Sequence, residues 1–134
     1  MSATDLNNPA TLAERMGIEV IEESPERVVA RMPVEINRQP FGVLAGGASA
    51  MLAESCASRA AVLHAARTGR GAVGLQVNAT HHSSVRSGFV EATASALHLG
   101  RSTASYEVAI ATLEGRRVCT ATVLCMIIDP PSAP

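Results

Sequence analysis

The alternation of apolar and polar residues along the chain predicts its strands and helices. Apolar side chains alternate with polar ones on both sides of the polar turn 23–26, so residues 18–34 are predicted to form a β-hairpin. A short amphipathic helix is predicted before this hairpin, opening at residues 9–11 and ending at Gly17. Residues 37–47 contain one proline and three glycines, so we expect an ordered loop that leads into a second helix.

The second helix is predicted to run from Gly46 to Ala66 and to be followed by strands. Four stretches with two-residue periodicity, separated by turns that contain glycine, predict an antiparallel meander. They cover residues 72–84, 88–99, 102–113 and 117–128. One long helix must then lie across one curved antiparallel sheet, which places the chain in the α+β class.

The chain is predicted to form one domain over residues 11–128, with a flexible arm at 1–10 and a disordered tail at 129–134. A chain of 134 residues has room for one core, and its 47% hydrophobic residues can fill that core. The three cysteines have neither disulfide nor zinc spacing, so we expect reduced core thiols. Neither a metal nor a cofactor is expected.

The predicted long helix is apolar or small on nearly all of its faces. A helix that is hydrophobic all round is buried on all sides, and a single sheet can cover only one side. We therefore expect self-association as a homodimer or homotetramer, with sheets paired edge to edge.

Charge and aromatic content argue against two classes of partner. Eleven arginines against twelve acidic residues leave no field that would attract nucleic acid or a membrane surface. The aromatic residues are Phe41, Phe89 and Tyr106, too few to form a stacking platform for single-stranded nucleic acid. The first twenty residues carry acids and no apolar run, so we expect neither a signal nor a transit peptide, and a cytoplasmic location.

The predicted long helix contains one acid, Glu54, and Ser58 follows it by one turn on the same face. A carboxylate in apolar surroundings is a candidate nucleophile or general base. The alternative is a glutamate that reaches solvent at the helix edge or bonds a backbone amide.

Gly46 and Gly47 would expose backbone N–H groups at the start of this helix. Unpaired donors at the positive end of the helix dipole attract developing negative charge, so the pair is a candidate oxyanion hole. The alternative is an ordinary glycine turn. The Gln39 amide could orient a substrate carbonyl or a water molecule, although loop glutamines are usually solvated.

Residues 32–58, with the sequence MPVEINRQPFGVLAGGASAMLAESCAS, resemble the hotdog-fold thioesterases. The resemblance is to the PaaI and Arthrobacter-type 4-hydroxybenzoyl-CoA branch, which includes the 1,4-dihydroxy-2-naphthoyl-CoA hydrolases. It continues through VGLQVNATHHSSVRSG and ALHLGRST and covers nearly the whole chain from residue 12 to residue 128. The resemblance implies a hotdog fold and hydrolysis of an acyl-CoA thioester, with an aromatic acyl group favoured by the branch.

The resemblance also implies roles for individual residues. Glu54 matches the family's nucleophile or general base, the Gly46 amide matches the group that polarises the thioester carbonyl, and Gln39 and Ser58 match residues that orient carbonyl and water. Both Glu54 and Gly46 would come from one helix. The resemblance further implies a homotetramer built as a dimer of dimers, with the active sites at the interface between paired subunits. The residues that match the family's contacts to CoA are Gly74, His81, His82, Ser83, Ser84, His98, Leu99, Gly100, Arg101, Ser102 and Thr103.

One position departs from the family pattern. Many members have histidine before the two glycines, whereas this chain has Ala45. A non-catalytic module that binds or senses acyl-CoA is therefore an alternative. A hotdog hydratase is a weaker alternative, since His64 stands ten residues from Glu54, nearly three helical turns away.

Overall fold

The computed structural model describes residues 11–130. The arm predicted at residues 1–10, and residues 131–134 of the predicted tail, lie outside the described residues. The described elements, in chain order, are helix α1 (Leu12–Arg15), strands β1 (Glu19–Glu23) and β2 (Arg27–Pro33), a 3₁₀ helix (Glu35–Asn37), helix α2 (Gly46–Ala66), and strands β3 (Gly71–His81), β4 (Phe89–Leu99), β5 (Thr103–Thr112) and β6 (Arg117–Ile128).

The boundaries of α1 and α2 follow from local signals in the sequence. The Thr11 side chain accepts a hydrogen bond from the Glu14 N–H at 3.2 Å and caps α1. Gly17, at φ 74°, turns the chain out of that helix into β1. The predicted helix from Gly46 to Ala66 is confirmed.

The described strands form one antiparallel sheet in the order β1-β2-β4-β5-β6-β3. The predicted hairpin over residues 18–34 is confirmed as β1 and β2, whereas the four-stranded meander holds only for β4, β5 and β6. Strand β3 pairs with β6 at the far edge, because α2 crosses the sheet and delivers the chain there. Periodicity marks a strand but does not say which strand pairs with it.

The core lies between α2 and the sheet. The sheet contributes large side chains such as Met32, Tyr106 and Ile110, and α2 contributes mainly alanines, which let the helix approach closely. The three cysteines are free and buried, as predicted.

The sheet of one chain covers one face of α2, as expected, and cover of the outward face by another subunit stays a prediction. A row that includes Met51, Glu54, Ser58 and Val62 is only partly buried, because the sheet of one chain covers the opposite face. The edge strand β3 is also exposed along most of its length and carries no Asp, Glu, Lys or Arg. Among the helices of residues 11–130, none is long and apolar enough to cross a membrane.

Candidate active site

The loop before α2 places Gln39 in a tight turn. The Gln39 backbone N–H donates to the Val43 carbonyl at 2.9 Å, and its carbonyl accepts from the Gly42 N–H at 2.9 Å. Gly42 has φ 80°, which a residue with a side chain adopts only with strain. The Gln39 side-chain oxygen accepts from the Phe41 N–H, so the loop holds the side chain by its oxygen. The amide NH₂ has no partner within residues 11–130.

Asn37, which the sequence patterns did not single out, ties this loop to the start of α2. Its buried amide nitrogen donates to the carbonyls of Met16 and Pro33, both at 2.8 Å. Its own carbonyl accepts from the Ala45 N–H at 2.9 Å. A polar residue between two elements is a weak signal in the sequence, since its buried position depends on the folded loop.

Helix α2 begins with two free donors. The Ala45 carbonyl accepts from the N–H groups of Ala48 and Ser49, at 3.1 and 3.2 Å, and Ala45 offers no side-chain cap. The N–H groups of Gly46 and Gly47 have no hydrogen-bond partner in the described part of the chain. They stand at the positive end of the helix dipole and are available to an oxyanion.

His81 lies directly over Gly46. A Cβ built on Gly46 would stand 3.0 Å from His81 Nε2, closer than an ordinary van der Waals contact. The glycine therefore allows the imidazole to reach the start of the helix.

Glu54 lies farther along α2, against β3. A Cβ built on Gly74 would stand 3.5 Å from Glu54 Oε1, so the missing side chain leaves room for the carboxylate. Cys125 lies opposite Gly74 in the sheet. Burial raises the pKa of the Cys125 thiol and the Glu54 charge adds to the rise, while a hydrogen bond from Ser58 opposes it. Glu54, Ser58, Gly74 and Cys125 thus form one cluster.

The two catalytic candidates of one chain stand apart. Gly46 and Glu54 are separated by eight residues of helix, a rise of ~12 Å. Their neighbours in β3 are farther apart still, since Gly74 pairs with Cys125 and His81 pairs with Cys119, six residues away along β6 or ~20 Å. Both groups lie on one helix, as predicted, but one thioester carbonyl cannot contact both of them within a single chain.

The predicted CoA contacts also divide into two groups. His81 pairs with Cys119 and Thr103 pairs with Met126, so residues 81–84 and 98–103 lie at opposite ends of the sheet.

At the first of these ends, three predicted contacts follow the end of β3. His82 Nε2 lies 2.9 Å from Thr120 Oγ1, and the Ser83 hydroxyl donates to the Arg117 carbonyl at 2.8 Å. The Ser84 carbonyl accepts from Arg116 at 3.1 Å. These bonds fix the segment beside a group of arginines.

At the second end, residues 98–103 comprise the end of β4, the turn at 100–102 and the first residue of β5. Leu99 packs against the core, and the Gly100 N–H donates to the Thr103 carbonyl at 2.8 Å. The His98 ring lies so close to Gly100 that a Cβ there would stand 2.5 Å from His98 Nε2. Arg101 and Ser102 are exposed.

A cavity of about 780 Å³ opens on the other side of α2, toward β1. Ser55, Ser58 and Arg59 line it together with apolar side chains of α2 and β1, and Glu54 is outside its lining. Arg59 forms an ion pair with Glu23 there. Cys56 also faces this cavity, but burial raises the pKa of its thiol to about 12, so it stays protonated and packs, as predicted.

The fold and this site define a class of protein: a curved antiparallel sheet around one long helix, with a carboxylate on the outward face of that helix. Residues 41–119 match the family model of the thioesterase superfamily. The chain therefore belongs to the thioesterase superfamily, and it is a thioesterase with the predicted hotdog fold.

Similar proteins cover most of the chain. It is 46% identical over 110 residues to ComA2 of Bacillus subtilis (strain 168), covering 81% of this chain and 87% of ComA2. It is 40% identical over 121 residues to proofreading thioesterase EntH of Cronobacter turicensis, covering 90% of this chain and 88% of EntH. The crystal structure of a mutant of thioesterase PA1618 from Pseudomonas aeruginosa has a TM-score of 0.87 and 36% identity, covering 94% of this chain and 92% of that chain.

Proposed function

We propose that this thioesterase hydrolyses acyl-CoA thioesters to the free acid and CoA, with Glu54 as nucleophile or general base. One observation carries the proposal. The Glu54 carboxylate lies on the outward face of α2 against Gly74 and has no ion-pair partner within residues 11–130. A partly buried carboxylate without an ion-pair partner, on an otherwise apolar helix, is a candidate for chemistry.

The proposed active site is composite, built from two copies of the chain. The exposed, uncharged edge of β3 is the kind of edge that pairs with another strand. If two β3 strands pair antiparallel about a two-fold axis near Asn78, Gly74 of one copy lies at the same height in the joined sheet as His81 of the second copy. Asn78 is the midpoint because it lies opposite Thr122, halfway between Cys125 and Cys119 on β6.

This pairing would bring the separated groups together. Glu54 of one copy would face Gly46 of the other, and the 98–103 turn of one copy would approach residues 81–84 of the other. A homodimer is thus the smallest complete unit of the proposal, and the homotetramer implied by the family resemblance would contain two such dimers.

The proposed chemistry uses the two groups differently. The N–H of Gly46 stabilises the oxyanion that develops on the thioester carbonyl. Glu54 either attacks the carbonyl carbon or takes a proton from an attacking water molecule. In the general-base route the C–S bond then breaks and the proton taken from water passes to the leaving thiolate. In the nucleophilic route the C–S bond breaks to give an anhydride between Glu54 and the acyl group, the thiolate takes a proton from water, and a second water molecule hydrolyses the anhydride to the free acid and the Glu54 carboxylate. Gln39, through its free amide NH₂, and Ser58, one turn after Glu54 on α2, are proposed to orient carbonyl and water.

An aromatic acyl group is the first class to test, on the strength of the branch that the sequence resembles. Thiol release from aromatic, short and long acyl-CoAs is measured for wild type and for Glu54→Ala. The matched control is Glu107→Gln, an exposed glutamate on β5. We expect turnover that falls at least ~100-fold in Glu54→Ala and persists in Glu107→Gln. Binding of CoA thioesters without any turnover would instead support the acyl-CoA-binding alternative, which Ala45 makes worth testing.

A further inference from the structure

The turn between β4 and β5 is held by basic side chains near the end of α2. His64 Nε2 lies 2.7 Å from the Gly100 carbonyl oxygen, a contact that is partly buried. Arg70, just after α2, donates to the next carbonyl, that of Arg101, at 3.1 Å. Two successive carbonyls of the turn are therefore directed at side chains from α2 and its end.

The second ring nitrogen of His64 fixes the tautomer. Arg67 Nη2 lies 2.7 Å from His64 Nδ1, and a guanidinium can only donate. Nδ1 is therefore the acceptor and Nε2 carries the proton, which it donates to Gly100. Arg67 is itself paired with Glu26 at 3.6 Å. The imidazole thus has one defined orientation and one defined donor.

The geometry of the peptide bond determines where the N–H groups on the other side of the turn point. In a trans peptide the C=O and the following N–H point in opposite directions. With the Gly100 and Arg101 carbonyls bonded to His64 and Arg70, the N–H groups of Arg101 and Ser102 point away from those side chains. Neither N–H has a hydrogen-bond partner within residues 11–130. Successive free backbone N–H groups in a turn suit an anion.

We propose that His64 is a positioning residue for a phosphate-binding turn at residues 100–102. By holding the Gly100 carbonyl, it directs the Arg101 N–H, next to that of Ser102, toward a phosphate oxygen. The inference rests on the proposed function, because the phosphate is that of the CoA nucleotide. His64 itself does not touch the ligand, and it lies far from Glu54.

The test compares two substitutions and two substrates. His64→Leu removes both hydrogen bonds, whereas His64→Gln keeps an N–H donor for Gly100 and an oxygen acceptor for Arg67. The substrates are an acyl-CoA and the N-acetylcysteamine thioester of the same acid, which lacks every phosphate.

For His64→Leu we expect KM for the acyl-CoA to rise roughly tenfold with kcat within a factor of about two, the size expected for one lost hydrogen bond. KM for the N-acetylcysteamine thioester should not change, and His64→Gln should restore most of the loss. If the leucine variant loses its fold by circular dichroism, His64→Ala takes its place. An unchanged KM for the acyl-CoA, or an equal rise for both substrates, overturns the inference.

Binding of adenosine 3′,5′-bisphosphate, measured by calorimetry, separates this inference from the proposed hydrolysis. Weaker binding by His64→Leu than by wild type supports the positioning role even if no thioester is turned over. If turnover depends on Glu54 but wild type and His64→Leu bind adenosine 3′,5′-bisphosphate equally well, the proposed hydrolysis is supported and the positioning role of His64 is overturned.

Discussion

The Glu54 carboxylate lies against Gly74, with Oε1 3.5 Å from the position that a Cβ on Gly74 would occupy. The Glu54 carboxylate on α2 is therefore in contact with the backbone of the edge strand β3, at a residue that has no side chain. Because 3.5 Å is an ordinary contact distance, a single methyl group fits, whereas a branched side chain would place its outer carbons where the carboxylate now lies.

The loss of kcat/KM on substitution of Gly74 should therefore increase with the size of the new side chain. We expect Gly74→Ala to retain kcat/KM within about threefold and Gly74→Val to lower it by ~10- to 100-fold, since small misplacements of catalytic groups cost up to about that much. Thermal melting of both variants is the control for folding. Equal activity of the valine variant and wild type would show that the surface between Glu54 and Gly74 is not used.

The two glycines that begin α2 should respond differently to alanine. A Cβ on Gly47 meets nothing within 4 Å, whereas a Cβ on Gly46 stands 3.0 Å from His81 Nε2. Alanine is favoured over glycine in a helix by about 0.5–1 kcal/mol, so Gly47→Ala should raise the free energy of unfolding by up to that amount. Gly46→Ala should gain less or lose stability, because the imidazole must move.

Urea unfolding of the two alanine variants measures this difference. An equal gain in the free energy of unfolding for both would contradict the contact between His81 and Gly46.

Alkaline pH should destabilise the protein through its buried thiols. Burial raises the pKa of Cys56 from 9.0 to about 12, so the unfolded chain releases this proton at lower pH than the folded chain. The stabilising contribution is complete below pH 9 and is lost as pH rises toward 12. Burial also raises the pKa of Cys119 and Cys125, which adds to the slope.

The contribution of Cys56 can be isolated with Cys56→Ala. Between pH 9.5 and 11 the free energy of unfolding of wild type should fall more steeply than that of Cys56→Ala, by up to about 1.4 kcal/mol per pH unit. Equal slopes would mean that the Cys56 thiol titrates alike in the folded and unfolded chains.

Local signals made much of the fold predictable from the sequence. The glycine-rich loop and the apolar run located α2 from Gly46 to Ala66, and the turn at residues 23–26 located the first hairpin. The position of β3 was not predictable in this way, because the crossing of α2 decides that β3 pairs with β6. The apolar faces of α2 predict a second covering surface, and the sheet of one chain supplies only the first.

The residues of the candidate site were predictable from local signals, whereas the contacts between them were not. Glu54 stood out as the one acid of an apolar helix, and Gly46 as a bare helix start. The contacts of Glu54 with Gly74 and of Gly46 with His81 join residues 20 or more positions apart and arise only in the folded chain. The helical spacing between His64 and Glu54 bears only on a hydratase role, and the hydrogen bond of His64 to Gly100 cannot be inferred from it.

Subunit complementation tests most directly whether the active site is built from two copies of the chain. Glu54→Ala and Gly46→Val chains are prepared separately, each inactive in thiol release, and then refolded together. In a mixed dimer one site carries both changes, while the other pairs the intact Glu54 of one chain with the intact Gly46 of its partner. Random mixing should therefore restore about a quarter of wild-type activity in a two-fold symmetric dimer. Activity no greater than that of the separate variants, with mixed dimers demonstrated, would contradict the account.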